Sequence, residues 1–342
     1  MQLTRLGRTD LMVARTGFGV LPLQRVETTE AVRILRRAYD AGITFYDTAR
    51  AYSDSEEKIG RALSDVRDKI VVATKSFAPT KTQLLEHVET SLRNLRTDYV
   101  DVLQLHTPDP LPNPYDPESA YAGLLEAKQR GMTRFIGITN HGLERATAAV
   151  ASGLYDTLQY PICHISSPAD LAVIDQCKNL DVGLIAMKPL SGGLLTSLRP
   201  AFAFLRQFEN VIPIWGIQRM SELDELLQFV ANPPALDETM WNLIKSDRDE
   251  LSGNFCRACG YCQPCPVEIP IPMAARMSLC LSRMPYQQFL SDDWRANMLR
   301  IENCTECGLC KSRCPYGLDI PVLLKKMLAD YEAFYAEHVK TA

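Results

Sequence analysis

Apolar and polar positions alternate in a regular order along the first two thirds of the chain. Eight short apolar runs begin at residues 15, 43, 70, 99, 134, 157, 182 and 211. The stretches between them carry apolar residues at helical spacing, as at Ala31, Ile34, Leu35 and Ala38. The runs recur about every 30 residues, which is the length of one strand with its helix. Eight such units predict an α/β fold with parallel strands closed into a (β/α)8 barrel, a TIM barrel.

An open doubly wound sheet is the alternative arrangement of the same units. Dinucleotide binding in that fold uses G-x-G-x-x-G after the first strand, and the run GFGVLP lacks the third glycine. Beyond Asn232 the proline-marked segment NPPALDE ends the repeating pattern. We therefore predict a barrel over residues 1–245 and a small, mostly α-helical domain over residues 246–342.

Two tight cysteine runs characterise the second domain. The later run, CTECGLCKSRCP, has the C-x2-C-x2-C-x3-C-P spacing of bacterial ferredoxins, which hold [4Fe–4S] clusters through thiolates. The earlier run, CRACGYCQPCP, departs from this spacing by one residue, and both runs continue as C-P-x4-I-P. This internal repeat predicts two [4Fe–4S] clusters. The eight predicted ligands are Cys256, Cys259, Cys262, Cys265, Cys304, Cys307, Cys310 and Cys314.

The partition of these cysteines between two clusters follows a rule of two-cluster ferredoxins, in which the fourth cysteine of one run ligates the other cluster. By that rule Cys314 joins the first three cysteines of the earlier run, and Cys265 joins those of the later run. Disulfides and zinc are the alternatives. Disulfides need an oxidising compartment, and zinc commonly uses two separated C-x2-C pairs.

Charge and hydropathy restrict the kinds of partner that the protein is expected to bind. A net charge of −4 gives no electrostatic basis for binding nucleic acid or an anionic membrane. The first residues, MQLTRLGRTD, contain no apolar signal core, and no apolar run approaches the ~20 residues of a membrane helix. We expect a cytoplasmic protein without nucleic-acid or membrane partners.

Polar residues follow five of the predicted strands. Chemistry in such barrels lies at the carboxyl ends of the strands, so one rim should collect these side chains. They are Asp47, Lys75, His106, Asn140 and Lys188. Tyr52 lies on the loop beyond the second strand. Taken singly, each is also compatible with a structural role, such as a loop aromatic or a strand-end lysine lying along apolar surface.

The segment DTARAYSDSEEKIGRAL, from Asp47 to Leu63, resembles the signature of the aldo-keto reductase family. VATK, LQLH and GITN fit the next family motifs in order, and the resemblance covers about the first 230 residues. The joined architecture is similar to the subgroup with a C-terminal ferredoxin-type domain. This resemblance implies a catalytic set of Asp47, Tyr52, Lys75 and His106. Tyr52 would be the general acid, its pKa lowered by Lys75, with Asp47 holding Lys75 and His106 orienting a carbonyl.

The same resemblance implies a nicotinamide dinucleotide, NADP(H) with NAD(H) as the alternative. Asn140 and Gln159 would bind the nicotinamide carboxamide, and the PLSGG run after Lys188 would wrap the pyrophosphate. The helix opened after Gly216 would favour the adenosine phosphate, although Arg219 is equally compatible with a solvated charge. The implied cofactor residues are Gly19, Asp47, Asn140, Gln159, Lys188, Leu190, Gly192, Gly216, Gln218, Arg219 and Ser221.

Two main functions fit these residues. The first is an oxidoreductase that transfers hydride between NADP(H) and a small carbonyl or alcohol substrate. The alternative is an electron-transfer protein or subunit whose clusters exchange electrons with ferredoxin or another redox partner; a non-catalytic cofactor sensor is a third hypothesis. A nicotinamide transfers two electrons as hydride and each cluster accepts one. We therefore predict that the clusters lie outside the hydride path.

Overall fold

The computed structural model describes residues 1–251, 255–284 and 286–339, with the side chain of Arg283 left out. The chain divides into two compact units. The first comprises Met1–Pro189 and Arg199–Trp241, and the second comprises Leu190–Leu198 and Asn242–Ala342. The second unit is thus assembled from two separate pieces of the sequence. Among the described helices, none has both the length and the apolar character needed to cross a membrane.

The first unit is a closed barrel of eight parallel strands that follow one another round it in chain order. A short antiparallel hairpin, β1 (Leu3–Arg5) and β2 (Met12–Ala14), precedes it. The predicted (β/α)8 barrel is confirmed. Its strands are β3 (Gly17–Gly19), β4 (Phe45–Asp47), β5 (Val71–Ser76), β6 (Val100–His106), β7 (Thr133–Thr139), β8 (Thr157–Pro161), β9 (Gly183–Met187) and β10 (Val211–Gly216).

Helices follow each barrel strand. The hydroxyl of Thr80 accepts from the N–H of Gln83 at the start of one helix, and Ser167 forms a capping box with Asp170 at another. These helices are α1 (Thr28–Asp40), α2 (Ser55–Leu63), α3 (Lys81–Leu95), α4 (Ala120–Gln129), α5 (Leu143–Ala151), α6 (Pro168–Asn179), α7 (Leu198–Leu205) and α8 (Met220–Ala231). Inside the barrel, Phe45, Val102 and Ile185 belong to one buried apolar core.

The second unit is helical in its described part, as predicted. Its core includes Ile271, Leu324 and Tyr331, together with Cys256 and Cys262. Helix α9 (Glu238–Glu250) crosses the division after Trp241, and the predicted boundary at residue 245 lies within it. The remaining helices are α10 (Ile271–Ala274), α11 (Met277–Arg283), α12 (Asp292–Leu299), α13 (Leu309–Ser312) and α14 (Ile320–Val339).

Both cysteine runs contain a glycine in the left-handed backbone region. Gly260 has φ 89° and Gly308 has φ 76°. A residue with a Cβ is strained at such φ values, whereas glycine is not. Each glycine follows the second cysteine of its run, so the chain turns sharply between the second and third thiols.

Candidate functional site

A buried ion pair joins two neighbouring barrel strands. The Nζ of Lys75, on β5, lies 2.7 Å from Oδ2 of Asp47, the last residue of β4, and donates to the carbonyl of Thr48 at 2.6 Å. Both side chains are almost completely buried. Parallel pairing of β4 with β5 brings the two residues to the same rim of the barrel.

Two buried amides complete the surroundings of Asp47. Its carboxylate accepts from Nε2 of Gln104 at 3.5 Å and from Nε2 of Gln159 at 3.3 Å, and the two glutamines bond each other at 3.0 Å. Burial raises the pKa of Asp47, and the Lys75 ammonium and these amides oppose that rise. Sequence reasoning missed Gln104. A signal was present, because residues two apart on a strand share a face and Gln104 precedes His106 by two.

Tyr52 lies beside both Lys75 and His106. The Lys75 Nζ is 5.1 Å from the centroid of the Tyr52 ring, and the Tyr52 and His106 ring centroids are 5.8 Å apart at 83°. Burial raises the pKa of Tyr52, while the charge of Lys75 acts in the opposite direction. The expected effect of Lys75 is present, but burial outweighs it. The structure therefore brings all four predicted catalytic side chains together.

The imidazole of His106 is held without a charge. Burial, followed by the repulsion of Lys75, lowers its pKa to about 2. Among the described residues its Nδ1 is buried and has no hydrogen-bond partner. The ring stacks on Phe77, with centroids 3.8 Å apart. Sequence reasoning missed Phe77, although an aromatic residue two positions after Lys75 at a strand end was a usable signal.

Three of the predicted cofactor residues lie on or directly after barrel strands. Gly19 ends β3 and is paired with Asp47. Asn140 follows β7 and is buried; its Nδ2 donates to the carbonyl of Pro108 at 3.3 Å, and its Oδ1 accepts from the N–H of Gly142 at 2.8 Å. Gln159 lies within β8 and already binds Asp47. Both amides are thus oriented by contacts within the protein.

The predicted pyrophosphate segment has an unusual backbone. Lys188 has φ 55°, Ser191 φ 49° and Gly192 φ 66°. The carbonyl of Leu190 accepts from the N–H of Gly193 at 2.9 Å. Lys188 belongs to the first unit, whereas Leu190 and Gly192 belong to the second. The sequence did not indicate this division of the segment.

An internal carboxylate occupies the start of α8. Glu222 accepts from the backbone N–H of Gln218 at 2.9 Å and of Arg219 at 3.2 Å. Its other oxygen accepts from Nε of Arg219 at 2.9 Å. Gly216 ends β10, and Ser221 lies in the first turn of α8. Sequence reasoning missed Glu222, because Arg219 is not one of the N-cap residues of the capping-box pattern.

The cysteines of the second unit surround a cavity. Its walls include Cys262 and Cys265 from the earlier run and Cys304, Cys307 and Cys310 from the later run. Burial raises the pKa of Cys256, and the nearby thiols of Cys259 and Cys314 add to that rise. Within the described ranges, no three His, Cys, Asp or Glu side chains are grouped for a single metal ion. The exchange of ligands between the two runs stays a prediction, since Cys262 lines the same cavity as the later run.

The fold defines the class of protein as a closed (β/α)8 barrel joined to a cysteine-rich helical unit. Residues 15–232, more than half of the chain, match the model of the Aldo/keto reductase family, and the chain belongs to that family. Residues 255–319 match the model of a 4Fe-4S dicluster domain. The predicted family, and its joining to an iron–sulfur domain, are confirmed. Membership supports the predicted enzyme class, an aldo-keto reductase-type oxidoreductase.

Several characterised and solved proteins are similar to the chain. The aldo-keto reductase YhdN of Bacillus subtilis is 29% identical over 57% of this chain and 64% of its own length. The L-galactose dehydrogenase of Arabidopsis thaliana is 32% identical over 58% of this chain and 69% of its own length. The holo structure of aldo-keto reductase AKR11C1 from Bacillus halodurans has a TM-score of 0.63 at 23% identity, covering 72% of this chain and 96% of that one.

Proposed function

We propose that this protein transfers hydride between NADP(H) and a carbonyl or alcohol substrate. The observation that carries the proposal is the contact of Lys75 with both Asp47 and the Tyr52 ring, at 2.7 Å to the carboxylate and 5.1 Å to the ring centroid. A tyrosine, a cation and a neutral imidazole at one rim provide a proton donor, its activator and a group that orients a carbonyl oxygen.

Each side chain has a distinct part in carbonyl reduction. Tyr52 donates its hydroxyl proton to the substrate oxygen, and the ammonium of Lys75 stabilises the phenolate that remains. Asp47 keeps Lys75 charged and in place. His106, which burial keeps neutral, has a free Nδ1, and its ring nitrogens are available to orient the substrate oxygen.

The residues of this rim fit a nicotinamide dinucleotide. The buried amides of Asn140 and Gln159 are oriented groups that match a carboxamide. When bound, the nicotinamide supplies or accepts the hydride. Arg219 would meet the adenosine phosphate, but Glu222 already pairs with it. The Glu222 carboxylate therefore competes with such a phosphate for Arg219.

The thiols of the second unit fit two [4Fe–4S] clusters. Cys262, Cys265, Cys304, Cys307 and Cys310 line one cavity, and the exchange rule assigns the last four to one cluster. Burial raises the pKa of Cys262 to about 12, so a buried thiolate there needs a compensating positive group such as iron. We assign Cys256, Cys259, Cys262 and Cys314 to the other cluster. The clusters supply one-electron chemistry when present, and we place them outside the hydride path.

The names of relatives suggest where a substrate search should begin. One is an L-galactose dehydrogenase and another, from Salmonella typhi, is the methylglyoxal reductase DkgB, 34% identical over 37% of this chain. Both names describe small, polar carbonyl or hydroxyl compounds. We propose substrates of that kind.

The test uses anaerobically purified, full-length protein. NADPH oxidation is followed with small aldehydes, ketones and sugars, for the wild type, Tyr52→Phe and Tyr115→Phe. Tyr115 is 92% exposed and serves as the matched control. Tyr52→Phe should lower turnover by about 10²–10⁴-fold and leave iron content and nucleotide binding unchanged. Turnover retained by Tyr52→Phe would remove the tyrosine from the mechanism.

One observation favours electron exchange with a redox partner such as ferredoxin as a second function. Cys307 is exposed, so the cluster it ligates would approach the protein surface. Mixing NADPH with the anaerobic protein, without a mediator, distinguishes the two functions. Absorption of the clusters should stay constant if they are separate from hydride transfer, and bleaching would connect them to it.

A further inference from the structure

We propose that Arg276 is the internal counter-charge and hydrogen-bond donor of the cluster held by Cys256, Cys259, Cys262 and Cys314. The inference rests on the cluster ligation proposed above. It adds a positioning residue, outside both cysteine runs, that would set the reduction potential of one cluster and leave that of the other unchanged.

The burial of Arg276 is the first observation. The residue lies between α10 and α11, with Ala275 and Met277 on either side, and only 2% of it is exposed. Both neighbours belong to the core that includes Cys256 and Cys262. A guanidinium is always charged, and removing it from water is costly unless an anion compensates for the lost hydration.

The second observation is that the described protein offers no such anion. Among the described residues, no carboxylate forms an ion pair with Arg276, and its Nε is buried without a hydrogen-bond partner. The acceptor of its Nη2 is neutral, the carbonyl of Gly192 at 3.1 Å. A buried N–H and a full positive charge therefore remain to be satisfied by something the protein binds.

The third observation places this charge beside the thiols. Cys280 lies one helical turn after Arg276, with its backbone N–H donating to the Arg276 carbonyl at 3.1 Å. Cys256 lies against the helix that precedes Arg276, with its Sγ 3.8 Å from the carbonyl of Pro272 in α10. A [4Fe–4S] cluster with four thiolates is an anion whose sulfur atoms accept hydrogen bonds. It would satisfy both the charge and the free Nε–H of this side chain.

The bond to Gly192 holds the guanidinium in place. Gly192 has φ 66°, and a Cβ built on it would lie 3.3 Å from Nη1 of Arg276. Glycine therefore permits the close approach of its carbonyl. Net charge and hydrogen bonds to sulfur are among the factors that set a cluster's potential. Reduction adds one negative charge, so a fixed cation nearby should favour the reduced form.

The test is a redox titration of the full-length holoprotein, monitored by electron paramagnetic resonance, for the wild type and Arg276→Met. The neutral variant should lower the equilibrium constant for reduction of one cluster by about tenfold or more, which is about 59 mV for a one-electron couple. The other cluster should keep its potential. Arg300→Met is the matched control, because Arg300 is exposed and also donates to a carbonyl, that of Glu268 at 3.2 Å.

Iron analysis separates this inference from the cluster assignment itself. A wild-type protein without iron–sulfur clusters contradicts the proposed ligation. An Arg276→Met protein with full iron and unchanged potentials overturns the role of Arg276 alone. If Arg276→Met and Arg276→Gln both lose iron, Arg276→Lys decides: retention of both clusters supports the charge, and loss as complete as in the neutral variants assigns Arg276 a packing role.

Discussion

The imidazole of His106 lies flat against the ring of Phe77, with centroids 3.8 Å apart and 14° between the planes. Phe77 is 56% exposed, so its outer face meets solvent while its inner face covers the histidine. Because burial is the main cause of the low pKa of His106, about 2, this cover has a chemical effect. It keeps the imidazole neutral across the pH range in which histidine ordinarily titrates.

Phe77→Ala should therefore raise the pKa of His106 towards ~6.5 by admitting water. In the wild type the folded-state pKa lies below the unfolded value, so the unfolded chain binds more protons between them. The contribution of neutral His106 to the free energy of unfolding is complete above about pH 6.5 and decreases as the pH falls. Phe77→Ala should weaken that dependence, and Phe77→Leu should preserve it.

The chain has five histidines, so NMR titration of the imidazoles measures the change directly. A His106 that stays untitrated in Phe77→Ala would contradict this prediction.

Lys75→Met should destabilise the barrel by about 3–5 kcal/mol, because it leaves the Asp47 carboxylate buried and unpaired. The double variant Asp47→Asn/Lys75→Met should recover most of that loss, since it removes the uncompensated charge. Both variants should lack carbonyl reductase activity, because both lack Lys75. Urea unfolding at neutral pH measures the stabilities. Lys128→Met, which removes a partly exposed ion pair with Asp156, should cost at most ~1 kcal/mol.

Substitution of Cys265 tests the exchange of ligands between the two cysteine runs. By the exchange rule, Cys265→Ser and Cys304→Ser should remove the same cluster. Cys314→Ser and Cys259→Ser should remove the other. Iron analysis and electron paramagnetic resonance identify which signal is lost, with Cys177→Ala, a buried cysteine of α6, as the control. If Cys265→Ser and Cys259→Ser abolish the same signal, ligation follows sequence order without exchange.

Glu222→Gln should increase the affinity for NADPH by about tenfold and leave that for NADH nearly unchanged. The glutamine would bind Arg219 and the amides of α8 more weakly than the carboxylate, and a hydrogen bond to a charged group is worth about 1.5 kcal/mol or more. Fluorescence titration with each nucleotide measures both affinities. Glu225→Gln alters an exposed residue of the same helix and controls for net charge. Equal gains for both nucleotides would show that Glu222 does not face the extra phosphate.

The recurrence of apolar runs was sufficient to predict the barrel, because eight strand-and-helix units have few other ways to bury their strands. The strand-end rule placed Asp47, Lys75 and His106 at one rim, where the structure brings them together. The direction in which the pKa of Tyr52 shifts was not predictable from the sequence, since burial depends on packing between segments distant in sequence. Arg276 carried no local signal for the same reason: its acceptor, Gly192, is 84 positions away.

The helical unit incorporates Leu190–Leu198, a stretch that the chain supplies between β9 and α7. A fragment beginning at Asn242 would omit this stretch and leave Arg276 without its carbonyl acceptor. Transplanting the cysteine-rich tail onto a different barrel would therefore also require replacing the host's loop after its seventh barrel strand with Leu190–Leu198. A transferable form of this unit therefore consists of two separate peptide segments rather than one.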